Sequence, residues 1–218
     1  MSFSLRGELN MIRLSLLSLS IIFYCGCPAL FAFDGKDLSR LLKTGSCDQC
    51  NLIYAELEGS DLRRVQLQKA MLSGANLRWA NLEHANLQGA VLDSADMRSA
   101  NLSSANLSKA FIKKADLSQS NMQLCDLEGI YAVDSNLSWS NLSEANLKAA
   151  DLSGATLLGT NLRNSLLYGA NLKGAYLEKA NLSGADLNKA HLEGAYLVGA
   201  IWTDGLLCNE KSIGRCVH

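Results

Sequence analysis

Apolar residues recur at every fifth position of this chain from Leu52 to Leu197, thirty times without an insertion. Two residues before each of these sites lies a second small or apolar position, which is Ala in twenty of the thirty repeats. A period of five does not fit an α-helix, where every fifth side chain would scatter around the axis, or a continuous strand, which requires strict alternation. The pattern predicts a short strand and a turn in each repeat, which together wind a coil with its apolar side chains inside. Leu fills twenty-six of the thirty sites, and the exceptions are Met97, Ile112, Met122 and Ala132.

The residue before each of these apolar sites indicates how many repeats complete one turn of the coil. It is Asn or Asp in nineteen repeats, and like residues recur twenty positions apart. Four repeats per turn would place like residues on top of one another, whereas three per turn would stack Phe111 on Asp126. We therefore expect four sides, with one series of Asn side chains hydrogen-bonded along the rod, namely Asn81, Asn101, Asn121, Asn141, Asn161 and Asn181.

The run SGANLRWANLEHANLQGA at residues 73–90 resembles the repeats of the pentapeptide-repeat family, and the resemblance spans residues 51–200. It implies an all-β fold, the right-handed quadrilateral β-helix, with four repeats per coil. Thirty repeats then give about seven and a half coils, a rod roughly 36 Å tall at the usual strand spacing. The family is functionally diverse, so the resemblance is specific for the fold and weak for function.

The two ends of the chain differ from the repeats. Residues 1–32 resemble an export signal, with an apolar stretch from Leu14 to Tyr24 and a cleavage position after Ala32; a lipoprotein anchored at Cys27 is the alternative. Residues 33–50 predict an N-terminal cap with a short amphipathic helix over 37–43, and residues 201–218 a C-terminal cap. By resemblance to exported members of the family, we expect the protein in the periplasm or the thylakoid lumen, with no membrane attachment after signal removal.

Export to an oxidising compartment makes the cysteines informative. Cys47 and Cys50 precede the first repeat, and Cys208 and Cys216 follow the last one. A disulfide requires Cα atoms within about 7 Å, so pairs at opposite ends of the rod cannot cross-link. We expect Cys47–Cys50 and Cys208–Cys216 to bond locally, although a two-residue gap makes the first pair geometrically tight. Cys125 falls on an inward site and should be a buried free thiol.

Catalytic chemistry has no support in the sequence. The three His residues, His84, His191 and His218, are not grouped with Cys at metal-ligand spacing, and no phosphate-binding loop is present. We therefore expect no enzyme activity, no catalytic residues, no cofactor and no metal. Two carboxylates, Asp96 and Asp116, should stack directly, where a raised pKa or a bound cation is conceivable.

One repeat departs from the pattern. At 128–133 the large Ile130 takes a small inward site, and Ala132 takes a Leu site. The volumes roughly exchange, so the core stays filled; the alternative is a local bulge that turns Val133 inwards.

The most specific functional hypothesis concerns apolar residues at the sites where Asn or Asp is usual. Four of the seven share one column, and contiguous apolar surface on a polar rod indicates a contact site. We expect this face to mediate self-association or to dock an unknown protein partner, with Lys113 and Lys114 as a polar rim. The candidate contact residues are Met71, Val91, Phe111 and Tyr131, with Trp79 and Trp139 flanking them around a corner.

These features favour a non-enzymatic, exported interaction or scaffold protein. The alternative is a DNA-mimic inhibitor or protector of a topoisomerase, a function known for some members of the family that this chain resembles. The export signal and the near-neutral charge both disfavour that alternative: the net charge of the whole chain is −1. The same balance gives no support for nucleic-acid binding.

Overall fold

The computed structural model describes residues 34–218. The predicted export signal over residues 1–32, with the alternative lipid attachment at Cys27, lies outside these residues. Within residues 34–218, no helix is both long and apolar enough to cross a membrane.

The repeats form a coil in which parallel bridges join residues twenty positions apart. Met71 pairs with Val91, Val91 with Phe111, and Phe111 with Tyr131, and the same register runs from Ser46 to Ile201. Twenty residues are four repeats, so each coil has four sides. Each side contributes one isolated bridge in place of the short strand that the sequence suggested. The reason is that a turn occupies two of every five residues and leaves too few for an extended strand.

Almost every backbone N–H in a repeat has a defined partner. In residues 76–80, the amides of Asn76, Leu77 and Trp79 donate to carbonyls of neighbouring coils, and Ala80 closes the turn on Leu77. The fifth amide, that of Arg78, donates to the side-chain Oδ1 of Asn76 at 3.3 Å. The side chain of the bridging residue therefore caps the turn that follows it.

All nineteen Asn and Asp residues at the bridging positions make this turn-capping bond. Asn and Asp are preferred at this position because their short side chains reach the N–H two residues ahead. This local role accounts for the polar columns of the rod without any ligand.

The core is a single column of Leu and small side chains inside the coil. Ile130 and Ala132 are both 1% exposed, whereas Val133 is half-buried at the turn, so the two volumes exchange without a bulge. The exchange is imperfect, because an apolar cavity of about 10 Å³ remains beside Ile130, Ala132 and Met122.

Helix α1, Gly35–Thr44, closes the N-terminal end of the coil. Asp34 caps its first turn by accepting the N–H of Lys36, and Gly45 ends it in the left-handed conformation at φ 65°. The helix is three residues longer than the sequence indicated. Leu38 and Leu41 pack against the interior of the first coil.

The C-terminal segment covers only part of the last coil. It folds back so that Ile213 pairs with Tyr196 and Leu207 with Ile201, both antiparallel. Leu187 and Leu192, on the other two sides, are only partly buried. The predicted C-terminal cap, residues 201–218, therefore reaches two of the four sides of the last coil.

The Asn series of the sequence analysis lies in one column, since consecutive members are bridged from Asn81 to Asn181. Side-chain amides donate to the Oδ1 of the preceding coil for Asn101, Asn121, Asn141 and Asn161, at 2.9–3.4 Å. Among the described residues, these amide bonds stop at Asn161, whose Oδ1 accepts the N–H of Arg163 but no bond from the side-chain amide of Asn181.

Replacing Asn121 by Leu should lower the free energy of unfolding by about 1–2 kcal/mol. The change removes the bond to Asn101, the bond from Asn141 and the cap on the N–H of Gln123. Urea unfolding measures the effect. Asn121→Asp is the matched control, because it keeps both acceptor roles and should cost less; an equal cost for the two variants would contradict the ladder.

Candidate protein-interaction face

One side of the rod carries four apolar side chains on four consecutive coils, and we call it the stripe face. Phe111 is 46% exposed, Met71 40% and Tyr131 38%, while Val91 is half-buried between them. The rings of Phe111 and Tyr131 lie 6.1 Å apart between centroids, tilted by 53°. The side is therefore a continuous apolar surface as high as four coils.

The stripe face lacks the turn caps that the polar columns have. Met71, Val91, Phe111 and Tyr131 offer no side-chain acceptor to the N–H two residues ahead. Lys113 finds a substitute in the carboxylate of Asp93 on the preceding coil, at 2.9 Å. Among the described residues, the amides of Ser73, Asp93 and Val133 have no such acceptor. Each missing bond forgoes about 0.5–1.5 kcal/mol, so an apolar residue is not what local stability favours here.

Trp79 and Trp139 do not flank the stripe. Each tryptophan lies eight residues after a stripe residue, Trp79 after Met71 and Trp139 after Tyr131. Because one side and its turn take five residues, a whole side of the coil separates the stripe face from the corner of the tryptophans. The Trp79 ring lies under the guanidinium of Arg78, 4.3 Å from its centroid. The ring of Trp139 covers Gly159 of the next coil, where an added Cβ would approach it to 2.4 Å. Local packing accounts for both rings.

The side between the stripe face and the tryptophan corner carries a second apolar patch, which we call the tyrosine face. Tyr176 and Tyr196 are 44% and 40% exposed and stack with parallel rings 5.0 Å apart. Ile213 extends this patch, because the C-terminal segment returns to pair with Tyr196. The repeat pattern shows the spacing of the two tyrosines but carries no signal for that return.

The cysteines are bonded at each end of the rod. Cys47 is joined to Cys50 and Cys208 to Cys216, and Cys125 is a buried free thiol. The Sγ of Cys125 donates to the carbonyl of Leu102, and burial raises the pKa of this thiol to about 12. A thiol in this environment is chemically inert.

The N-terminal cap brings together a group that the sequence analysis did not identify. Ligand-type atoms of Asp37, Cys47 and Cys50 lie within 4.8 Å of one another, and Arg40 donates to the Sγ of Cys50. The two sulfur atoms are consumed in a disulfide, and the Asp37 carboxylate accepts the backbone N–H of Asn51. The group therefore fastens α1 to the first coil and does not present thiolate ligands to a metal.

Asp96 and Asp116 stack as bridged residues, but the pKa of Asp96 is lowered and not raised. The guanidinium of Arg98 hydrogen-bonds the Asp96 carboxylate, with Nε 2.8 Å from Oδ1, and this bond lowers the pKa of Asp96. Asp116 accepts the side-chain amide of Asn136. The adjacent arginine removes the reason for a shared proton or cation.

A single sequence family matches most of the coil. The family described as Pentapeptide repeats matches in eight copies, over residues 46–78, 75–113, 112–148, 133–167 and 165–201. No curated protein matches the chain significantly.

Solved structures include several similar proteins. One is HetL, a pentapeptide repeat protein involved in heterocyst differentiation regulation from the cyanobacterium Nostoc sp. strain PCC 7120, 30% identical over 74% of this chain and 86% of that one, with a TM-score of 0.29. Another is trypsin-treated QnrB1, a plasmid-mediated fluoroquinolone resistance protein, 17% identical over 79% and 86%, with a TM-score of 0.54. A third is a pentapeptide repeat protein from the Arabidopsis thaliana thylakoid lumen, 25% identical over 49% and 71%, with a TM-score of 0.19.

The family profile covers well over half of the chain, and the twenty-residue register of the coil agrees with it. Proteins of this kind are generally structural or interaction proteins. The chain therefore belongs to the pentapeptide repeat family, whose members fold as right-handed β-helices.

Proposed function

We propose that this protein is a non-enzymatic, exported interaction or scaffold protein that binds another protein through the stripe face. The observation that carries the proposal is the apolar column itself. Its four side chains replace residues that would cap the following turns, so the chain gives up local hydrogen bonds to keep an exposed apolar surface. A repeat fold offers such a face as its binding surface because its interior is filled.

Export is supported by the sequence pattern of residues 1–32 and by two disulfides in the described chain. We expect the periplasm or thylakoid lumen as the site of action. The binding partner approaches a face that is apolar along its centre and charged along both edges, the usual anatomy of a protein interface.

The double variant Phe111→Asn and Tyr131→Asn tests the proposal. Asn restores the missing turn cap on Val133 and offers Lys113 a local acceptor in addition to Asp93. The free energy of unfolding should therefore stay equal or rise slightly, while binding through the face should be lost. The measurement is a pull-down from the host compartment with parent and variant, quantified by mass spectrometry.

The matched control is Tyr176→Asn with Tyr196→Asn, which removes the same kind of exposed aromatic pair from the tyrosine face. The proposal requires specific binding to disappear in the first variant and to persist in the control. Equal binding by the parent and the stripe variant, with both folded, would show that the stripe is not the contact surface.

A further inference from the structure

The edges of the stripe face carry charges that have no ion-pair partner within the rod. Along the edge that precedes the stripe residues are Lys69, Lys109 and Glu128; along the edge that follows are Asp93, Lys113, Lys114 and Asp134. These side chains make no ion pair within 4.0 Å among the described residues. Charges at the margin of an apolar face are available to a partner and help to set its orientation.

The sign of these charges alternates from coil to coil. Counting Lys, Asp and Glu, the net charge is +1 over residues 68–74, −1 over 88–94, +3 over 108–114 and −2 over 128–134. The stripe residues at the centres of these segments are Met71, Val91, Phe111 and Tyr131, in that order. The face is therefore neither uniformly basic nor uniformly acidic. If two such faces meet, the charge pattern favours one relative orientation of the rods over the other.

We propose that the stripe face pairs with the stripe face of a second copy of this chain, with the two rods antiparallel. The two-fold axis lies in the plane of contact, passes between Val91 and Phe111, and runs at right angles to the long axis of the rod. This inference rests on the proposed function and names the partner that the stripe face accepts.

The antiparallel arrangement matches both the apolar residues and the charges. Met71 faces Tyr131 of the second copy, and Val91 faces Phe111, so all four stripe residues meet apolar partners. Segment 68–74, of charge +1, faces segment 128–134, of charge −2, in the other copy. Segment 88–94, of charge −1, faces segment 108–114, of charge +3, so each facing pair is of opposite sign. A two-fold axis parallel to the rod would instead bring each coil against itself and place like charges together.

The same axis keeps each edge over the corresponding edge of the second copy. Lys69 then lies opposite Glu128 of the other rod, and Asp93 lies opposite the Lys113 and Lys114 edge. Because the pairing is two-fold symmetric, every contact occurs twice, and a single substitution changes two sites.

A charge exchange tests this geometry by sedimentation equilibrium of the purified protein over a range of concentrations. Lys69→Glu and Glu128→Lys should each raise the dimer dissociation constant by about tenfold, because each places two like-charge pairs in the interface. The combined variant should return the constant close to the parent value. Lys179→Glu, an exposed change at the tryptophan corner, should leave it unchanged.

A parent that stays monomeric at every concentration, or a combined variant no tighter than the single ones, would overturn the antiparallel pairing. The two proposals fail separately. If the parent is monomeric but its captured partner is lost on Phe111→Asn with Tyr131→Asn, the binding face stands and self-pairing is wrong. If neither association nor capture responds to that double variant, the face itself is wrong.

Discussion

Replacing Ile130 by Ala should lower the free energy of unfolding by about 3 kcal/mol, within the 2–5 kcal/mol range for large-to-small changes in a core. Ile130 is 1% exposed and fills an inward site where most repeats have Ala and none has a larger side chain. Its neighbour Ala132 provides no compensating volume, and a cavity already lies beside both residues. Ala at position 130 would enlarge that cavity along the axis of the coil. Chemical denaturation of the purified protein measures the loss.

The double variant Ile130→Ala with Ala132→Leu is the matched control, because it restores the small-then-large order of the other repeats. Its stability should return to within about 1 kcal/mol of the parent, as expected of a volume-conserving exchange. Ala132→Leu alone should cost about 1–3 kcal/mol, since the cavity is far smaller than the added side chain. Additive losses in the double variant would show that the two residues do not share one space.

Removing the C-terminal disulfide by Cys208→Ser with Cys216→Ser should cost roughly 2–3 kcal/mol on the chain-entropy model for a loop of this length. The loop holds the segment that closes two sides of the last coil. The N–H of Leu197 donates to Ser212, and that of Gly199 donates to Cys208. We expect thermal unfolding at lower temperature and faster hydrogen exchange at Leu197 and Gly199.

The effect should be local to this end of the rod, because each coil contacts only its neighbours. The amide of Leu72, bonded to Val91 in the N-terminal half, should keep its protection under native conditions. Unchanged exchange at Leu197 and Gly199 would mean that the segment stays in place without the covalent link. A uniform increase in the hydrogen-exchange rate along the whole rod would instead show that the coils unfold as one cooperative unit.

The coil was predictable because one constraint repeats. The Leu at every fifth position must point inwards. Residues of one type that recur every twenty positions then stack on one another, as the bridges from Asn81 to Asn181 show. The length of the rod excluded a cross-link between its two ends, and export favoured local bonds, so Cys47 was expected to pair with Cys50 and Cys208 with Cys216, although the two-residue gap left the first pair less secure. The column of Met71, Val91, Phe111 and Tyr131 could be identified for the same reason, since register decides which residues share a side.

The ends and corners of the rod were not predictable in this way. The return of the C-terminal segment onto Tyr196 depends on tertiary pairing outside the repeat, so neither the tyrosine face nor the open sides at Leu187 and Leu192 followed from the period. Trp79 and Trp139 were expected beside the stripe face, but the whole tyrosine face lies between the stripe face and their corner. The pKa of Asp96 depended on the rotamer of Arg98, which no spacing encodes.

Contact through the stripe face can be observed on the unmodified protein by hydroxyl-radical footprinting, with oxidation mapped by mass spectrometry. Met71, Phe111 and Tyr131 report on the stripe face, and Tyr176 and Tyr196, which are about equally exposed, report on the tyrosine face. We expect the three stripe residues to become protected from oxidation when the protein is concentrated or bound in its native compartment, while Tyr176 and Tyr196 keep their oxidation rates. Equal oxidation of the stripe residues in the dilute, concentrated and native-compartment samples would contradict the claim that this face is a protein contact surface.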